Sequence, residues 1–462
     1  MLVSVVLHGC LTSFKFLLHP TNLPCIFHIL SDCTLWPDQT SITTTTKWLN
    51  RLFDARAELA TFVATRREGR GTGSYVEFLE GSFNFGFRYT FSDGRPDTII
   101  RFPKPGHTAT AYRDEKVTNE VQLGLTSDSP HNLGPFIIMD YVTGTLPSNV
   151  LKKPDEEDLY LSPNIDNTLL DKIYYQIARY LLQLSHLTFP QIGAISKDNT
   201  SNTWHVLNRP LTYNMNELVT VSGYAANKWP AAPFDRASNY LASLANEHLT
   251  HLYTQRNIAD DTDIAQDRFI ARHLFKQLIS KYYPTENNEP SILFCDYMRP
   301  LNMLIDPKTL QITAILDFEF TNAMPAAFSF DPPWWLLLSG PEVWLERCEL
   351  DEFLKLYEPR MEQFLRALAR VEHEMEYKQP GHLSLSARMR ESWRTGQFWF
   401  DYAARKSFVV DVVYWDTLLS AGTGVEELEE KVRAELEFFK RLKMEQLKAY
   451  KEECLVRFCS DI

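Results

Sequence analysis

Two oxygen-bearing side chains at the ends of a predicted β-hairpin give the clearest chemical signal in this 462-residue sequence. Asn302 precedes an apolar run at 303–305, a turn follows around Pro307, and a second apolar run at 312–316 leads directly to Asp317. Two short β-type runs flanking a proline-containing turn predict a hairpin. A hairpin places the amide and the carboxylate near each other, and this is the ligand set that holds Mg²⁺ on nucleotide phosphates during phosphoryl transfer.

The loop before this hairpin contains the residues that could act on an acceptor hydroxyl. The apolar run at 292–294 is followed by Cys295, Asp296, Tyr297 and, two residues later, Arg299. A carboxylate that accepts the hydroxyl proton is a usual part of phosphoryl-transfer sites. The loop and the hairpin together therefore predict a site for transfer of a phosphoryl group.

The stretch 291–320 resembles the catalytic loop and metal-binding aspartate of the aminoglycoside phosphotransferase family, whose fold is related to that of protein kinases. The segment ILDFEFTNAMPAAFSFDPPWWLLL, at 315–338, is similar to a fungal branch of that family with unassigned substrates. The resemblance covers most of the chain, from about Trp48 to about Tyr450. It implies ATP and Mg²⁺ as cofactors, the two hairpin residues as metal ligands, and transfer of the γ-phosphoryl group to a hydroxyl of a small molecule.

The spacing of the catalytic loop leaves two assignments of the base open. The kinase-type loop has its base five residues before the metal-binding asparagine, and the residue five before Asn302 is Tyr297. In the favoured assignment Tyr297 has replaced the base, which keeps Arg299 in register with the family's loop. In the other, the loop carries one extra residue and Asp296 faces the cleft.

The same loop leaves two classes of function open. Tyr297 in the base slot favours a catalytically impaired relative that acts as a nucleotide-binding or interaction module. The intact Asn302 and Asp317 favour an enzyme that phosphorylates a small molecule.

The segment 81–86, which precedes the hairpin in the chain and contains Gly81 and Gly86, predicts a loop that covers a nucleotide. It is followed by an alternating strand at 87–91, a turn at Asp93-Gly94 and a return strand at 98–102, an order that predicts a hairpin. Glycines in such a loop let backbone N–H groups approach phosphate oxygens closely. The resemblance implies that the residues contacting the nucleotide are Gly81, Ser82, Phe83, Asn84 and Gly86.

The resemblance also implies an ion pair in the first lobe. Arg101, in the predicted third strand, would hold the α- and β-phosphates in place of the family's usual lysine. Glu120, in the predicted helix at 113–121, would pair with that cation. After Gln122 the chain departs from the family's pattern, because a short polar run at 123–132 replaces the end of the helix and a strand. The first lobe is therefore predicted to be shortened.

The order of these segments predicts an α+β, two-lobed protein-kinase-like fold with a small, β-rich N-lobe and a larger, mainly α-helical C-lobe. We expect an atypical tail at 1–45, the N-lobe with glycine loop and hinge strand at 46–142, and the C-lobe with the catalytic hairpin at 143–455. The whole phosphotransferase-like domain then covers about 46–455. Asp331, before Pro332-Pro333, is predicted to cap a further helix.

Composition limits the partners and the compartment. The net charge of −12 argues against a nucleic-acid partner. No apolar run reaches the length of about 18 residues that a membrane helix needs. The seven cysteines form no Cys-x-x-Cys pair, which predicts reduced thiols in a cytoplasmic protein. We therefore expect a small-molecule partner, with no nucleic acid and no membrane, and the sequence makes no prediction of oligomeric state.

Overall fold

The computed structural model of the protein describes residues 39–67, 71–121, 130–154, 159–198, 203–285, 289–375, 383–419 and 424–458. Most of the predicted tail at 1–45 lies outside the described residues. A small antiparallel sheet region comes first along the chain and a larger helical part follows it. The predicted α+β fold with a β-rich first lobe and a helical second lobe is therefore confirmed.

The first lobe is a four-stranded antiparallel sheet packed against two helices. The strands lie in chain order, and their bounds are β1 (Gly73–Glu80), β2 (Asn84–Phe91), β3 (Thr98–Pro103) and β4 (Ile137–Asp140); the helices are α1 (Gln39–Asp54) and α2 (Arg56–Arg66). Side chains alternate between the two faces of a strand, so Phe85, Phe87 and Tyr89 of β2 are all buried against the helices. Trp48 of α1 stacks on Phe85 with ring centroids 6.0 Å apart. Aromatic alternation thus forms this core.

The other face of the sheet carries Gly86 and Arg101. These residues are directly opposite each other in β2 and β3, and opposed residues of an antiparallel ladder share a face. Gly94, with a φ of 71°, lies at the predicted Asp93-Gly94 turn between the two strands. Helix α3 (Arg113–Val121) follows β3. The face of the sheet that carries Arg101 and Gly86 therefore points toward the second lobe.

The second lobe is mainly helical, and its central helix has the predicted apolar stripe. Leu170, Ile173 and Ile177 are buried along that helix, as expected for apolar residues three and four positions apart. Asp166 caps it by accepting a hydrogen bond from the backbone N–H of Thr168 at 2.8 Å. The helices of this lobe are α4 (Pro147–Leu151), α5 (Asn167–Leu184), α6 (Tyr213–Val221), α7 (Ala237–Thr254), α8 (Thr262–Gln277), α9 (Ile279–Tyr282), α10 (Ala326–Ser329), α11 (Pro341–Leu345), α12 (Leu350–Glu374), α13 (Leu385–Thr395), α14 (Gln397–Ala404), α15 (Val410–Val413) and α16 (Glu430–Phe458).

Short strands hold the loop and hairpin singled out in the sequence. Their bounds are β5 (Thr188–Phe189), β6 (Ala194–Asp198), β7 (Thr203–Asn208), β8 (Ser291–Phe294), β9 (Met303–Ile305), β10 (Ile312–Ile315) and β11 (Asn322–Met324). Strands β9 and β10 pair antiparallel. The carboxylate of Asp306 closes their turn by accepting from the backbone N–H groups of Lys308 and Thr309, at 2.9 and 2.8 Å. The structure therefore contains the hairpin between Asn302 and Asp317 that the sequence predicts.

The prediction of a helix capped by Asp331 is wrong. Residues 334–339 form turns and bends, because two adjacent prolines have no backbone N–H and their rings disfavour helical backbone before them. The carboxylate of Asp331 instead accepts from Ser392 Oγ at 2.6 Å and lies 3.5 Å from Arg405 Nη2. Asp331 therefore belongs to a buried polar cluster that contacts Asp296, in the predicted catalytic loop, through Arg405.

Candidate functional site

Backbone hydrogen bonds within the second lobe hold Asn302 and Asp317 beside each other. The N–H of Leu316 donates to the carbonyl oxygen of Asn302 at 2.7 Å, so the residue before Asp317 is joined directly to Asn302. The side-chain amide of Asn302 donates to the carbonyl oxygen of Tyr297 at 3.0 Å. This bond orients the amide and leaves its oxygen as a ligand atom. Asp317 has a φ of 59°, a left-handed conformation that turns the chain directly after β10.

A buried cation from the first lobe contacts the end of this hairpin. The Arg101 side chain is 1% exposed, and its Nη1 lies 3.2 Å from Asp317 Oδ1. Its Nη2 donates to Glu319 Oε2 at 3.1 Å. The other oxygen of Glu319 lies 3.1 Å from Lys116 Nζ, on α3. Two cations of the first lobe and two carboxylates of the second thus form one cluster across the cleft.

The electrostatics of this cluster affect Asp317. Desolvation raises the pKa of the Asp317 carboxyl, the positive charge of Arg101 lowers it, and the negative charge of Glu319 raises it further. The Asp317 side chain is 30% exposed, whereas that of Glu319 is 5% exposed. Glu319 is therefore the internal counter-ion, and Asp317 is the carboxylate at the opening of the cluster.

The family resemblance implies that Glu120 is the partner of Arg101. Glu120 lies on α3, but its side chain is outside the described residues. Among the described residues, α3 contributes Lys116 to the cluster and Asp317 and Glu319 are the carboxylates at Arg101. Glu319 was missed, although its place two residues after Asp317 in Asp-Phe-Glu was a usable signal. Lys116 carried no signal, because its contact depends on how the two lobes meet.

The predicted nucleotide-covering loop is a tight turn between β1 and β2. The N–H of Gly81 donates to the carbonyl oxygen of Asn84 at 3.0 Å, and Asn84 is buried. Ser82 is half-buried between them. The Phe83 ring packs edge-on against Tyr213 of α6, with centroids 5.7 Å apart, and Lys116 Nζ lies 5.3 Å from the Phe83 ring centroid. The tip of the loop therefore contacts both α6 and the Arg101 cluster.

Gly86, the second glycine of the predicted loop, lies within β2 opposite Arg101. Because Gly86 has no side chain, no side-chain atoms project from this face of the sheet beside the Arg101 guanidinium. The six-residue glycine segment is thus a three-residue turn followed by strand, and only its first part lies between the two strands.

The Asp296 carboxylate, in the predicted catalytic loop, is paired with the Arg405 guanidinium. Its Oδ1 accepts from Arg405 Nη1 at 2.8 Å, and its carbonyl oxygen accepts from Trp334 Nε1 at 3.1 Å. The Asp296 side chain is 20% exposed, and Arg405 is 8% exposed. Asp296, Tyr297 and Arg405 line the same small cavity, which has a volume of about 30 Å³. A cavity of this size has room for about one water molecule.

Tyr297 is packed in an aromatic environment that keeps its phenol protonated. Its ring lies 4.8 Å from the Tyr213 ring and 6.4 Å from the Trp334 ring. Desolvation raises the pKa of the Tyr297 phenol well above its usual value, and nearby Tyr213 raises it further. Arg299 lies on the same aromatic group, with its guanidinium carbon 5.3 Å from the Tyr297 centroid. The neutral phenol is therefore a hydrogen-bonding group and not a free phenolate base.

Arg299 lies close to the base slot without a carboxylate partner among the described residues. The Nε atom of Arg299 is buried, and none of the described residues forms a hydrogen bond with it. Its guanidinium carbon is 5.5 Å from the Trp334 centroid. A guanidinium that packs its flat face against aromatic rings can still donate hydrogen bonds to an anion from the N–H groups at its edge.

Some general properties of the described residues bear on ligands. Within residues 39–458, excluding the undescribed gaps, no group of three or more His, Cys, Asp or Glu side chains is arranged to hold a metal ion. None of the described helices combines the length and apolarity needed to cross a bilayer. The three described cysteines, at positions 295, 348 and 454, are free thiols.

Comparison with known proteins finds distant similarity to solved structures. No protein-family model and no curated protein matches it. Similar solved structures include an ethanolamine kinase from Plasmodium vivax, with 11% identity, a TM-score of 0.36 and coverage of 84% of each chain. A putative aminoglycoside phosphotransferase from Ralstonia eutropha has 14% identity, a TM-score of 0.35 and coverage of 85% of this chain and 97% of that one. A spectinomycin phosphotransferase, solved with ADP and spectinomycin, has 10% identity, a TM-score of 0.32 and coverage of 84% and 93%.

These solved structures are, by their names, of the class that the catalytic-loop resemblance indicates. Identities and TM-scores of this size carry no argument by themselves. The fold and the site described above therefore rest on the contacts of this chain.

Proposed function

We propose that this protein is a phosphotransferase that uses Mg·ATP and transfers the γ-phosphoryl group to a hydroxyl of a small molecule. The observation that carries the proposal is the Asn302–Asp317 pair at the end of the β9–β10 hairpin, directly below buried Arg101. An amide oxygen, a partly exposed carboxylate and a buried guanidinium at one cleft are the groups that a metal-bound triphosphate needs.

The metal ligands suit magnesium better than a metal held only by protein. Mg²⁺ is usually bound through one or two protein oxygen ligands together with phosphate oxygens and water. Asn302 and Asp317 supply such a pair, and no larger donor group is present among the described residues. When bound there, Mg²⁺ neutralises charge on the phosphates.

The cations of the cleft suit the phosphates. Arg101 and Lys116 are both buried, and Glu319 compensates part of their charge. A triphosphate brings negative charge to a cluster whose cations are already desolvated, so little further desolvation of the protein is needed. Phe83 and the Gly81 turn lie above this cluster and would contact the nucleotide.

The acceptor is proposed to be a small molecule handled in the cytoplasm. The chain has a net charge of −12, which is unfavourable for a nucleic acid. The described free thiols are those expected of a reducing compartment. The hydroxyl of the acceptor would approach Tyr297, Asp296 and Arg299 on the side of the cleft away from the sheet.

A thermal-shift titration with Mg·ATP tests the proposal. The parent protein should be stabilised at millimolar nucleotide, because a ligand that binds only the folded state raises its stability by RT ln(1 + [L]/Kd). Asp317→Asn should lose most of this shift. The matched control is Asp260→Asn, which changes an exposed aspartate outside the site and should keep the full shift. Absence of a shift in the parent, or an equal shift in Asp317→Asn, contradicts the proposed site.

A further inference from the structure

Glu319 joins two cations of the first lobe through its two carboxylate oxygens. Its Oε2 accepts from Arg101 Nη2 at 3.1 Å, and its Oε1 lies 3.1 Å from Lys116 Nζ. The Arg101 and Lys116 side chains are each 1% exposed, and that of Glu319 is 5% exposed. Two like charges held away from water repel each other unless a counter-ion compensates them. Glu319 is therefore the group that allows both cations to lie at one place in the cleft.

The two carboxylates that contact Arg101 differ in how easily they can be given up. Asp317, whose Oδ1 lies 3.2 Å from Arg101 Nη1, is 30% exposed and is one of the two proposed metal ligands. When the Asp317 carboxylate ligates a metal ion, it no longer neutralises Arg101, so the Nη1 side of the guanidinium can donate to a phosphate oxygen. Glu319 is shielded from solvent and keeps its contact with the Nη2 side.

The Lys116 ammonium lies beside the turn that is proposed to cover the nucleotide. Its Nζ is 5.3 Å from the Phe83 ring centroid and 5.8 Å from the Phe320 ring centroid, and it donates to Thr108 Oγ1 at 3.4 Å. The backbone N–H of Lys104, directly after β3, donates to the carbonyl oxygen of Phe83 at 2.7 Å and so fixes the turn. Helix α3 therefore brings a second positive charge to this turn, in addition to the guanidinium of β3.

We propose that Glu319 is a positioning residue for the triphosphate, because it holds Arg101 and Lys116 side by side and lets both cations contact phosphate oxygens while Asp317 serves as a metal ligand. This inference rests on the proposed function. Glu319 contacts neither the nucleotide nor the metal in this scheme and acts through the two cations. Lys116 is then a phosphate-binding residue in addition to Arg101.

Removal of the Glu319 charge should weaken the contacts to phosphates and spare those to adenosine. In Glu319→Gln the carboxylate that remains in the described cluster is Asp317, so Arg101 stays on Asp317 and competes with the metal for it. Lys116 loses its counter-ion and is repelled by the guanidinium. Both cations face the phosphates in the proposed site, so a nucleoside without phosphates should not respond to the change.

Calorimetric titration with Mg·ATP and with adenosine tests this role. We expect Glu319→Gln and Lys116→Met each to weaken Mg·ATP binding about 10- to 100-fold, the effect of losing charge-assisted hydrogen bonds. Adenosine binding should change by less than about threefold in both variants. Lys116→Arg keeps the positive charge and should lose less affinity for Mg·ATP than Lys116→Met does.

The matched control is a second ion pair between α3 and the other lobe. Glu115, which precedes Lys116 in the chain, lies 2.8 Å from Arg209 Nη2, and the Glu115 and Arg209 side chains are 26% and 15% exposed. Glu115→Gln and Arg209→Met each remove one charge from the contact between the lobes and leave the cluster around Glu319 intact. Both control variants should keep the affinity of the parent for Mg·ATP.

A double variant keeps the test decisive where a single substitution prevents folding. A buried charge that loses its partner is strongly destabilising, whereas removal of both charges of a pair is often tolerated. Lys116→Met combined with Glu319→Gln removes both charges of one pair, and urea unfolding measures its stability. It should fold and should still bind Mg·ATP about 10- to 100-fold more weakly than the parent.

The outcomes separate the role of Glu319 from the proposed function. A parent that does not bind Mg·ATP overturns both proposals. A parent that binds Mg·ATP, with the same affinity in the folded variants of Lys116 and Glu319, overturns the role of Glu319 and leaves the nucleotide site in place. A loss of the same size for adenosine as for Mg·ATP, or an equal loss in Glu115→Gln, also overturns it, since Glu319 would then only hold the two lobes together.

Discussion

Among the described residues, Arg101 and Arg272 are the two largest side chains that are almost completely buried, and their surroundings differ. Arg272 Nε and Nη2 each donate to the Asp411 carboxylate at 2.8 Å, and its Nη1 donates to the carbonyl oxygen of His248 at 2.7 Å. All of these partners belong to the second lobe. Arg101 instead contacts single oxygens of Asp317 and Glu319, at 3.2 and 3.1 Å, across the cleft between the lobes.

The difference shows that the same residue type can be enclosed by its partner in one place and have a partly exposed partner in another. The bidentate pair of Arg272 is closed, because Asp411 is 8% exposed and accepts with both oxygens. The Arg101 pair is open on one side, because Asp317 is 30% exposed. A closed pair fixes the packing of helices. An open pair keeps a desolvated positive charge beside a cleft, where a phosphate can share it.

The largest expected effect is the loss of stability when Arg272, in the closed pair with Asp411, is substituted. Arg272→Met leaves Asp411 buried without its main partner, so the free energy of unfolding in urea should fall by about 3–5 kcal/mol. The control is Arg268→Met. Arg268 lies 3.1 Å from the same carboxylate but is 29% exposed, and its loss should cost less than about 1 kcal/mol. Equal losses for the two variants would falsify the distinction between the buried and the exposed partner.

Substitution of Arg101, in the open pair, should change the affinity for Mg·ATP more than it changes the free energy of unfolding. Arg101→Met should weaken Mg·ATP binding about 10- to 100-fold, because charge-assisted hydrogen bonds contribute about 1.5–3 kcal/mol. It should destabilise the fold less than Arg272→Met does, since Lys116 still neutralises Glu319. Calorimetric titration with Mg·ATP and urea unfolding measure the two effects.

The control for this prediction is Arg88→Met. Arg88 lies on the same face of the sheet and pairs with Glu77 and Asp97 outside the cleft. It should keep the affinity of the parent for Mg·ATP. The proposed role of Arg101 is wrong if both variants lose affinity equally.

The smallest expected effect concerns the pH dependence of stability, which should differ in sign between the groups around Arg272 and those around Arg101. Desolvation, with the charge of Arg272, lowers the pKa of buried His248 to about 3 and that of His251 well below its usual value. The unfolded histidines therefore bind more protons, and stability falls as the pH falls below about 6.5, by at most about 1.4 kcal/mol per pH unit for each histidine. The raised pKa of Asp317 has the opposite sign, since it contributes stability at low pH that is lost as the pH rises.

Urea unfolding at pH 5, 6 and 7 measures this difference. His251→Gln should flatten the decline of stability toward acid. Asp317→Asn should not flatten it. A decline of the parent's size in His251→Gln would place the acid sensitivity outside the Arg272 cluster.

The sequence by itself determined the elements whose signals are local. The aromatic alternation of Phe87, Tyr89 and Phe91 predicts the second half of β2, and turn chemistry around Pro307 predicts the hairpin that places Asn302 and Asp317 together. These features follow from side-chain periodicity and backbone geometry over a few residues. The prediction from local signals fails at Asp331, which pairs with Arg405 and caps no helix, because Pro332 and Pro333 disfavour helical backbone there.

Only the tertiary structure decided which charges meet. Arg101 and Glu319 are 218 residues apart in the chain, and Asp296 and Arg405 are 109 apart. The Tyr297 ring meets the Tyr213 ring only because α6 packs against the loop at 295–299. An ion pair or a hydrogen-bonded chain between distant segments has no local sequence pattern, since its strength depends on distance and burial. The sequence therefore determined the residue types of the site, and the packing of the two lobes decided their partners and protonation.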